Sequence, residues 1–492
     1  MRFRLISQLL LGCLLSFVLR GQSAADASDA GARAQAAIDA ATPRAQADSW
    51  HPIFHVTAPA QWMNDPNGPI YYHGWYHLFY QLNPFSDGDG PKHWGHVRSR
   101  DLANWERLPI ALCPSTDRQE QGVWSGCCTI NGDGQPMIFY TSVALNRSAG
   151  DHAEQWAALG DDDLVHWRKL PGNPILSEAL HGDRKIYEWR DPFIFHAAGK
   201  TFLVCGGNLN QNKGGQAVVN IYEAQNPSLT QWVYRGVLFQ HPDADIRDIE
   251  CPNFFQVGRH WVLIVSPWEP VQWFVGDFDS RTCRFHATAR GMMDYGSSFY
   301  APNTMLCDDG RRLLWGWVNN FPGGHGWNGC LTVPRLLSVS SDGQLHQEPV
   351  SQLHKLRGHA EKSRRLSLGD APSSIQLPST NTLEITADLE LHSAHSITLA
   401  FQDAASSAPA IHISFDGSRL TVNDSQAPLS TPKLNLHLFL DHSVFEVFAN
   451  HTVCLTKVLA PMSHPVLTLS AAGGGASLAR LAAWPIHSIW AP

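Results

Sequence analysis

The chain has 492 residues, a formal net charge of −8 and 18 tryptophans. That length exceeds one ordinary hydrophobic core and makes two domains the expectation. The acidic balance is spread without long runs, and no basic stripe interleaves with aromatic residues, which excludes nucleic acid as the expected partner.

At the N-terminus, Arg2 and Arg4 precede an apolar stretch from Leu5 to Leu19 and small residues at Ser23, Ala24, Ala25 and Ala27. This is the order of a secretory signal peptide, and the stretch is too short to span a membrane comfortably. Residues 1–25 are therefore expected to be removed, leaving a secreted protein with no membrane attachment. Delivery to a vacuole or another compartment of the secretory pathway is the alternative. Residues 26–48 are alanine-rich without a strong amphipathic stripe, and are expected to be disordered or a removable pro-segment.

From residue 49 to 350 one pattern occurs five times. Its leading motifs are Asn64-Asp65-Pro66, Trp124-Ser125-Gly126, Arg190-Asp191-Pro192, Glu250-Cys251-Pro252 and Tyr300-Ala301-Pro302. Each leads through a turn glycine (Gly74, Gly134, Gly199, Gly258, Gly310) to an apolar or aromatic run such as Trp75-Tyr76-His77-Leu78-Phe79-Tyr80. Strand, tight turn and strand at an uneven spacing of roughly 50 to 65 residues predict a five-bladed β-propeller. Trp105, Trp167 and Trp232, each after a polar turn, are expected to plug the spaces between blades.

Residues 351–365 are basic and helix-compatible and read as a linker, and residues 366–492 alternate in strand fashion and predict a C-terminal β-sandwich. The fold class expected is thus all-β. Within the second domain, Asp441 and Glu446 are either polar residues facing the propeller or simple turn and edge residues.

In a propeller the equivalent first strands converge, so Asp65, Asp191 and Glu250 become neighbours. Carboxyl groups gathered in one pocket cannot all ionise cheaply, and such a site supplies an acid and a base together, as glycoside hydrolysis requires. No metal is expected, because His93-x-x-His96 lacks a third ligand and no Cys-x-x-Cys pair exists. Nine of the ten cysteines remain once Cys13 leaves with the signal, and this odd count leaves at least one thiol free or intermolecular. The patterns at Asn146, Asn423 and Asn450 would be N-glycosylated in a eukaryotic secretory pathway.

The ordered set of motifs resembles glycoside hydrolase family 32, the invertase, inulinase and levanase group. The residues that carry the resemblance run from Trp62-Met63-Asn64-Asp65-Pro66-Asn67-Gly68 through Tyr80-Gln81-Leu82-Asn83-Pro84, His93-Trp94-Gly95-His96 and Trp124-Ser125-Gly126. They continue through Arg190-Asp191-Pro192, Glu250-Cys251-Pro252, Leu314-Trp315-Gly316-Trp317, Thr332-Val333-Pro334-Arg335 and the stretch from Phe439 to Phe448. The resemblance implies a retaining hydrolase, free of cofactors, that releases terminal non-reducing β-D-fructofuranosyl residues. It assigns Asp65 as nucleophile, Glu250 as general acid/base and Asp191 as transition-state stabiliser. It also implies that Asn64, Gln81, Trp94, Ser125 and Arg190 contact the fructosyl unit, while Trp62 and Trp124 wall the leaving-group side.

On this reading Arg190 keeps its neighbour Asp191 ionised, and Glu250 lies in a less polar setting beside Cys251. Plant invertases of the family commonly read Trp-Glu-Cys-Pro/Val-Asp where this chain has Ile249 and Asn253, so Asn253 is expected at the leaving-group subsite. Cys127-Cys128 also replace small hydroxyl residues. Sucrose is the expected substrate, with short fructans second. The alternatives are a fructosyltransferase, an inulinase or levanase on the same scaffold, and a non-catalytic carbohydrate-binding propeller.

Overall fold

The computed structural model describes residues 30–144, 153–210, 215–363, 365–403, 408 and 410–490. The signal-peptide reading and the pattern at Asn146 lie outside the described residues. Five antiparallel sheets follow one another along the chain as blades I to V, and their first strands are Gln61–Tyr72, Glu120–Ile130, Ile186–Ala197, Glu250–Val257 and Tyr300–Leu306. These strands pack side by side around one axis, which gives the five-bladed propeller. Trp327–Asn328, from the far side of blade V, pairs in parallel with Gln61 and Trp62 and closes the ring.

Local chemistry explains the repeat. At His73-Gly74 and Ala198-Gly199 both residues adopt positive φ (47° and 79°, 49° and 74°), as a two-residue hairpin turn matched to strand twist requires. Leu102, Leu164 and Leu229 also take positive φ, and the tryptophan three residues on donates its indole N–H back to each carbonyl at 3.2, 2.8 and 2.9 Å. With its polar atom satisfied, each ring is free to wedge apolar edges between blades. Trp105 meets Trp315 of blade V, Trp167 meets Phe79 of blade I, and Trp232 meets Phe139 of blade II, all edge-on. The interblade plugs are therefore where the sequence placed them.

The structure departs from the disorder expected within residues 26–48 and from the plain linker expected at 351–365. Residues 30–46, within the stretch read as disordered or a pro-segment, form a helix that lies against the propeller. Ala34, Ile38 and Ala45 are buried and Ala41 packs in the same cluster as Ala45, Phe321 and Trp327, while Arg44 Nη2 donates to Gly324 O at 2.7 Å. Their spacing is helical, but alanine contributes so little hydrophobicity that the stripe is hard to read, and its helix propensity does the rest. The span 351–365 is likewise more than a linker. Ser351–Leu356 is a 3-10 turn that buries Leu353 and Leu356, and Glu361–Ser363 already belongs to the sandwich, paired with Ala476–Pro485. A polar edge strand carries no alternation to betray it.

The sandwich stacks a seven-stranded sheet on a six-stranded one over an apolar core that includes Leu399, Phe401, Ile413, Leu438 and Phe445. Asn423 and Asn450 each donate one amide N–H, to Ala410 O and Lys433 O. Asp441 and Glu446 face the propeller, which resolves the open choice. Asp441 Oδ2 accepts the backbone N–H groups of Phe54 (2.8 Å) and His55 (3.1 Å), and Ile53 N donates to both its oxygens. Glu446 accepts from Val333 N at 2.7 Å and Arg335 Nη2 at 2.6 Å, and His55 bridges the two acids at 2.8 and 3.0 Å. Burial alone would discharge His55, but its bonds to Asp441 and Glu446 hold it charged, up to about 9. Glu446→Ala removes the buried carboxylate that Arg335 and His55 share, leaving Arg335 with Asp294 and His55 with Asp441, and orphans the Val333 N–H. The expected cost is about 3–5 kcal/mol, read as a drop in the denaturant midpoint or loss of soluble protein.

Candidate active site

The site exists because every innermost strand is irregular at the same place. Between Met63 and Pro66, Val123 and Gly126, Arg190 and Phe193, Glu250 and Asn253, and Tyr300 and Asn303, the first strand holds one residue more than its partner. A bulge breaks strict alternation, so two successive side chains can point the same way, and a proline that cannot donate to the ladder is tolerated there. Asp191, Cys251 and Ala301 occupy the same bulge position with φ of 61°, 46° and 45°. The motifs thus deliver Asn64 with Asp65, Trp124 with Ser125, Arg190 with Asp191, Glu250 and Tyr300 to one cavity of ≈330 Å³ on the axis.

Size does not single out this cavity. A wider cleft of ≈590 Å³ beside Pro109 and Trp167 is lined by no carboxylate, whereas the axial cavity gathers Asp65, Asp89, Asp191 and Glu250. Trp62, Trp124 and Trp317 wall it, with Trp62 and Trp317 edge to face at 5.7 Å.

Asp65 sits in a closed relay. Trp62 Nε1 donates to Asn64 Oδ1 at 3.0 Å, and Asn64 Nδ2 donates to Asp65 Oδ1 at 3.0 Å and Gln81 Oε1 at 2.8 Å. Gln81 Nε2 then donates to Ser125 Oγ, whose hydroxyl donates to Asp65 Oδ2 at 2.5 Å. Burial pushes the Asp65 carboxyl up, against these hydrogen bonds and the charge of Lys92. Lys92 is itself brought down to about 8 by burial and pairs with Asp89.

Arg190 does not hold Asp191 as expected. Its guanidinium reaches Glu250 Oε1 from Nε at 3.1 Å and from Nη2 at 2.9 Å, Asp248 Oδ2 at 2.6 Å and Glu188 Oε2 at 2.5 Å. Glu250 Oε2 takes the hydroxyl of Tyr300 at 2.8 Å. The less polar setting expected for Glu250 is therefore replaced by an arginine and a phenol.

Asp191 Oδ2 instead accepts Cys251 N–H at 2.8 Å, and the Cys251 thiol lies 3.6 Å from it and 3.5 Å from Asp65 Oδ2. Burial drives the Asp191 carboxyl up to about 7; Arg190 opposes this, while Glu250 and Asp65 add to it. Because this folded-state value lies above the ordinary 3.8, the native state holds the extra proton in between, so stability falls as pH rises from about 4 to about 7. Asp191→Asn removes that penalty. The variant should exceed wild type by more than about 1 kcal/mol at pH 8 and lose the advantage by pH 4, in denaturant unfolding at each pH. A difference that does not vary with pH would contradict the buried, protonatable carboxyl.

Two sequence-expected binding residues lie elsewhere. Trp94 is fully buried on the third strand of blade I, where its indole donates to Trp124 O at 3.0 Å, so it fixes the backbone of a wall without reaching the cavity. Asn253 is 2% exposed and ties blade IV to blade V, donating to Cys251 O and Pro302 O and accepting from Thr304 N and Oγ1. The alternation that placed it beside the leaving group ignored the bulge. Tyr300, Lys92, Asp89 and Trp317 line the cavity although sequence reasoning assigned them no role. For Tyr300 the signal was present, since it holds the repeat position of Asn64, Arg190 and Glu250.

Comparison with known proteins agrees with this architecture. The N-terminal domain of glycosyl hydrolases family 32 matches residues 55–349 and the C-terminal domain of the family matches residues 352–485. The chain is 30% identical over 458 residues to a sucrose-6-phosphate hydrolase of Zymomonas mobilis, covering 85% of this chain and 87% of the relative. It is 28% identical over 496 residues to a raffinose invertase of Escherichia coli, covering 92% and 98%. A solved β-fructofuranosidase of Bombyx mori in complex with sucrose aligns with a TM-score of 0.80 at 26% identity, over 94% of this chain and 99% of that one. Matched across both of its domains, the chain belongs to glycoside hydrolase family 32, as a β-fructofuranosidase-type enzyme that hydrolyses β-fructofuranosyl linkages.

Proposed function

We propose that the protein is a secreted, retaining invertase whose main substrate is sucrose, with short fructans second. Asp65 attacks the anomeric carbon of the fructosyl unit, and Glu250 protonates the departing glycosidic oxygen and then activates water. Asp191 opposes the developing oxocarbenium charge. Asn64, Gln81, Ser125 and Arg190 hold the fructosyl unit and position the Asp65 and Glu250 carboxylates, and Trp62 and Trp124 wall the leaving-group side. Asp65 suits nucleophilic attack because its own relay holds it by neutral donors alone, so no ion pair with a guanidinium must break first. Asp248 and Glu188 share Arg190 with Glu250, which keeps that guanidinium neutralised while Glu250 carries its proton.

The observation that favours sucrose over its 6-phosphate is the charge of the cavity lining. Its two cations, Lys92 and Arg190, are already engaged by Asp89 and by Asp248, Glu188 and Glu250, and four carboxylates face the same space. A phosphate on the leaving sugar would enter without a spare cation to receive it. Initial rates on sucrose, sucrose 6-phosphate, raffinose and inulin test this. Sucrose should exceed its 6-phosphate at least about tenfold in kcat/KM, which corresponds to about 1.4 kcal/mol or more of transition-state discrimination. A preference for the phosphate would overturn the reading. Secretion is supported by the charged, apolar and small order of residues 1–25 and is tested by the N-terminus of protein recovered from the medium, expected between residues 20 and 30.

A further inference from the structure

The Tyr300 hydroxyl that holds Glu250 also accepts the backbone N–H of Trp268 at 2.9 Å, just past the strand His260–Ser266. Trp268 is 62% exposed, more than any other large apolar side chain among the described residues. Its φ is 59°, a left-handed conformation unfavourable for a bulky residue, and its ring centroid lies 5.9 Å from the Arg190 guanidinium. An indole left open to water on a strained backbone gains little from packing, and such strain tends to gather at binding and catalytic sites.

Direction follows from the acid. On the proposed mechanism Glu250 protonates the leaving oxygen, so the leaving group lies on the side of Glu250, where Tyr300 and then Trp268 stand. Trp268 does not line the cavity that would enclose the fructosyl unit and the sugar next to it; it lies one step farther out. We propose that Trp268 is a stacking platform for a second leaving-group sugar, which makes it a specificity determinant for neutral oligosaccharides of three or more units. Its flat apolar face suits the C–H face of a pyranose or furanose ring.

The inference rests on the β-fructosidase reading, and the experiment separates the two. Trp268→Asn removes the ring with a residue that tolerates left-handed backbone, and Trp268→Phe keeps an aromatic face. With raffinose and 1-kestose as probes, Trp268→Asn should lower the ratio of trisaccharide to sucrose kcat/KM by roughly 5- to 30-fold, mainly through KM, and Trp268→Phe should recover most of it. Loss confined to trisaccharides would support the platform. An unchanged ratio, or equal loss on sucrose through kcat, would overturn it, the latter because Trp268 would then act through Tyr300 on Glu250. Wild-type turnover of sucrose in the same assay shows whether the underlying reading stands, and a wild type inert on every β-fructofuranoside would sink both.

Discussion

Asp65→Asn should lower kcat on sucrose by about a thousandfold or more, with the fold unchanged. An amide is too weak a nucleophile to form the fructosyl-enzyme ester, and losing a covalent route costs several kcal/mol of barrier. The substitution is nearly isosteric. Ser125 Oγ, which now donates to Asp65 Oδ2, also accepts from Gln81 Nε2, so its rotor can turn to receive the new amide N–H. Removing a carboxyl that burial pushes up should not destabilise the folded state. Full near-UV circular dichroism with lost turnover is the expected pair of results. Retention of more than about 1% of wild-type kcat would remove Asp65 from the nucleophile's role.

The cause of the site's legibility in sequence lies in the repeat. Because Asn64-Asp65-Pro66, Arg190-Asp191-Pro192 and Glu250-Cys251-Pro252 stand at one blade position, any closed arrangement of blades brings their acids together. The same repeat also shows why Asn253 misled. Asparagine recurs at the fourth motif position as Asn67, Asn253 and Asn303, and in the structure each binds another innermost strand, Asn67 and Asn303 at Gly126 and Asn253 at Pro302 and Thr304. A residue shared by three blades is a scaffold residue, and reading it as a local departure hid that.

Pairings across blades were out of reach for a different reason. Arg190 bonds Glu250 and Asp248 and not its neighbour Asp191, although Asp191 and Glu250 both line the axial cavity, because residues 58 and 60 positions away come within hydrogen-bond reach of its guanidinium. Nothing in linear spacing encodes that choice. Asp441 and Glu446 were equally ambiguous, since a buried acid and an edge acid look alike until the N–H groups of Phe54 and Val333 arrive from the other domain. The helix at residues 30–46 escaped because its buried face is mostly methyl groups.

Glu250→Gln should be as damaging as Asp65→Asn on sucrose, about a thousandfold in kcat/KM, yet much less damaging on an aryl β-fructofuranoside. A sugar alkoxide leaves only with a proton, whereas a nitrophenolate leaves nearly unaided, so the first bond-breaking step needs the acid for one substrate and not for the other. The variant should keep its fold. Gln Oε1 can still accept from Arg190, which retains Asp248 and Glu188, and the Tyr300 hydroxyl can turn its proton to Ser266 O, 3.2 Å away. Water attack on the fructosyl-enzyme would then be slow for want of a base, so the aryl substrate should give a burst followed by a slow steady rate. A small anionic nucleophile such as azide, which needs no deprotonation, should speed that second phase. Equal losses on both substrates, with no burst and no effect of azide, would move the acid/base role away from Glu250 and make its bonds to Arg190 and Tyr300 structural.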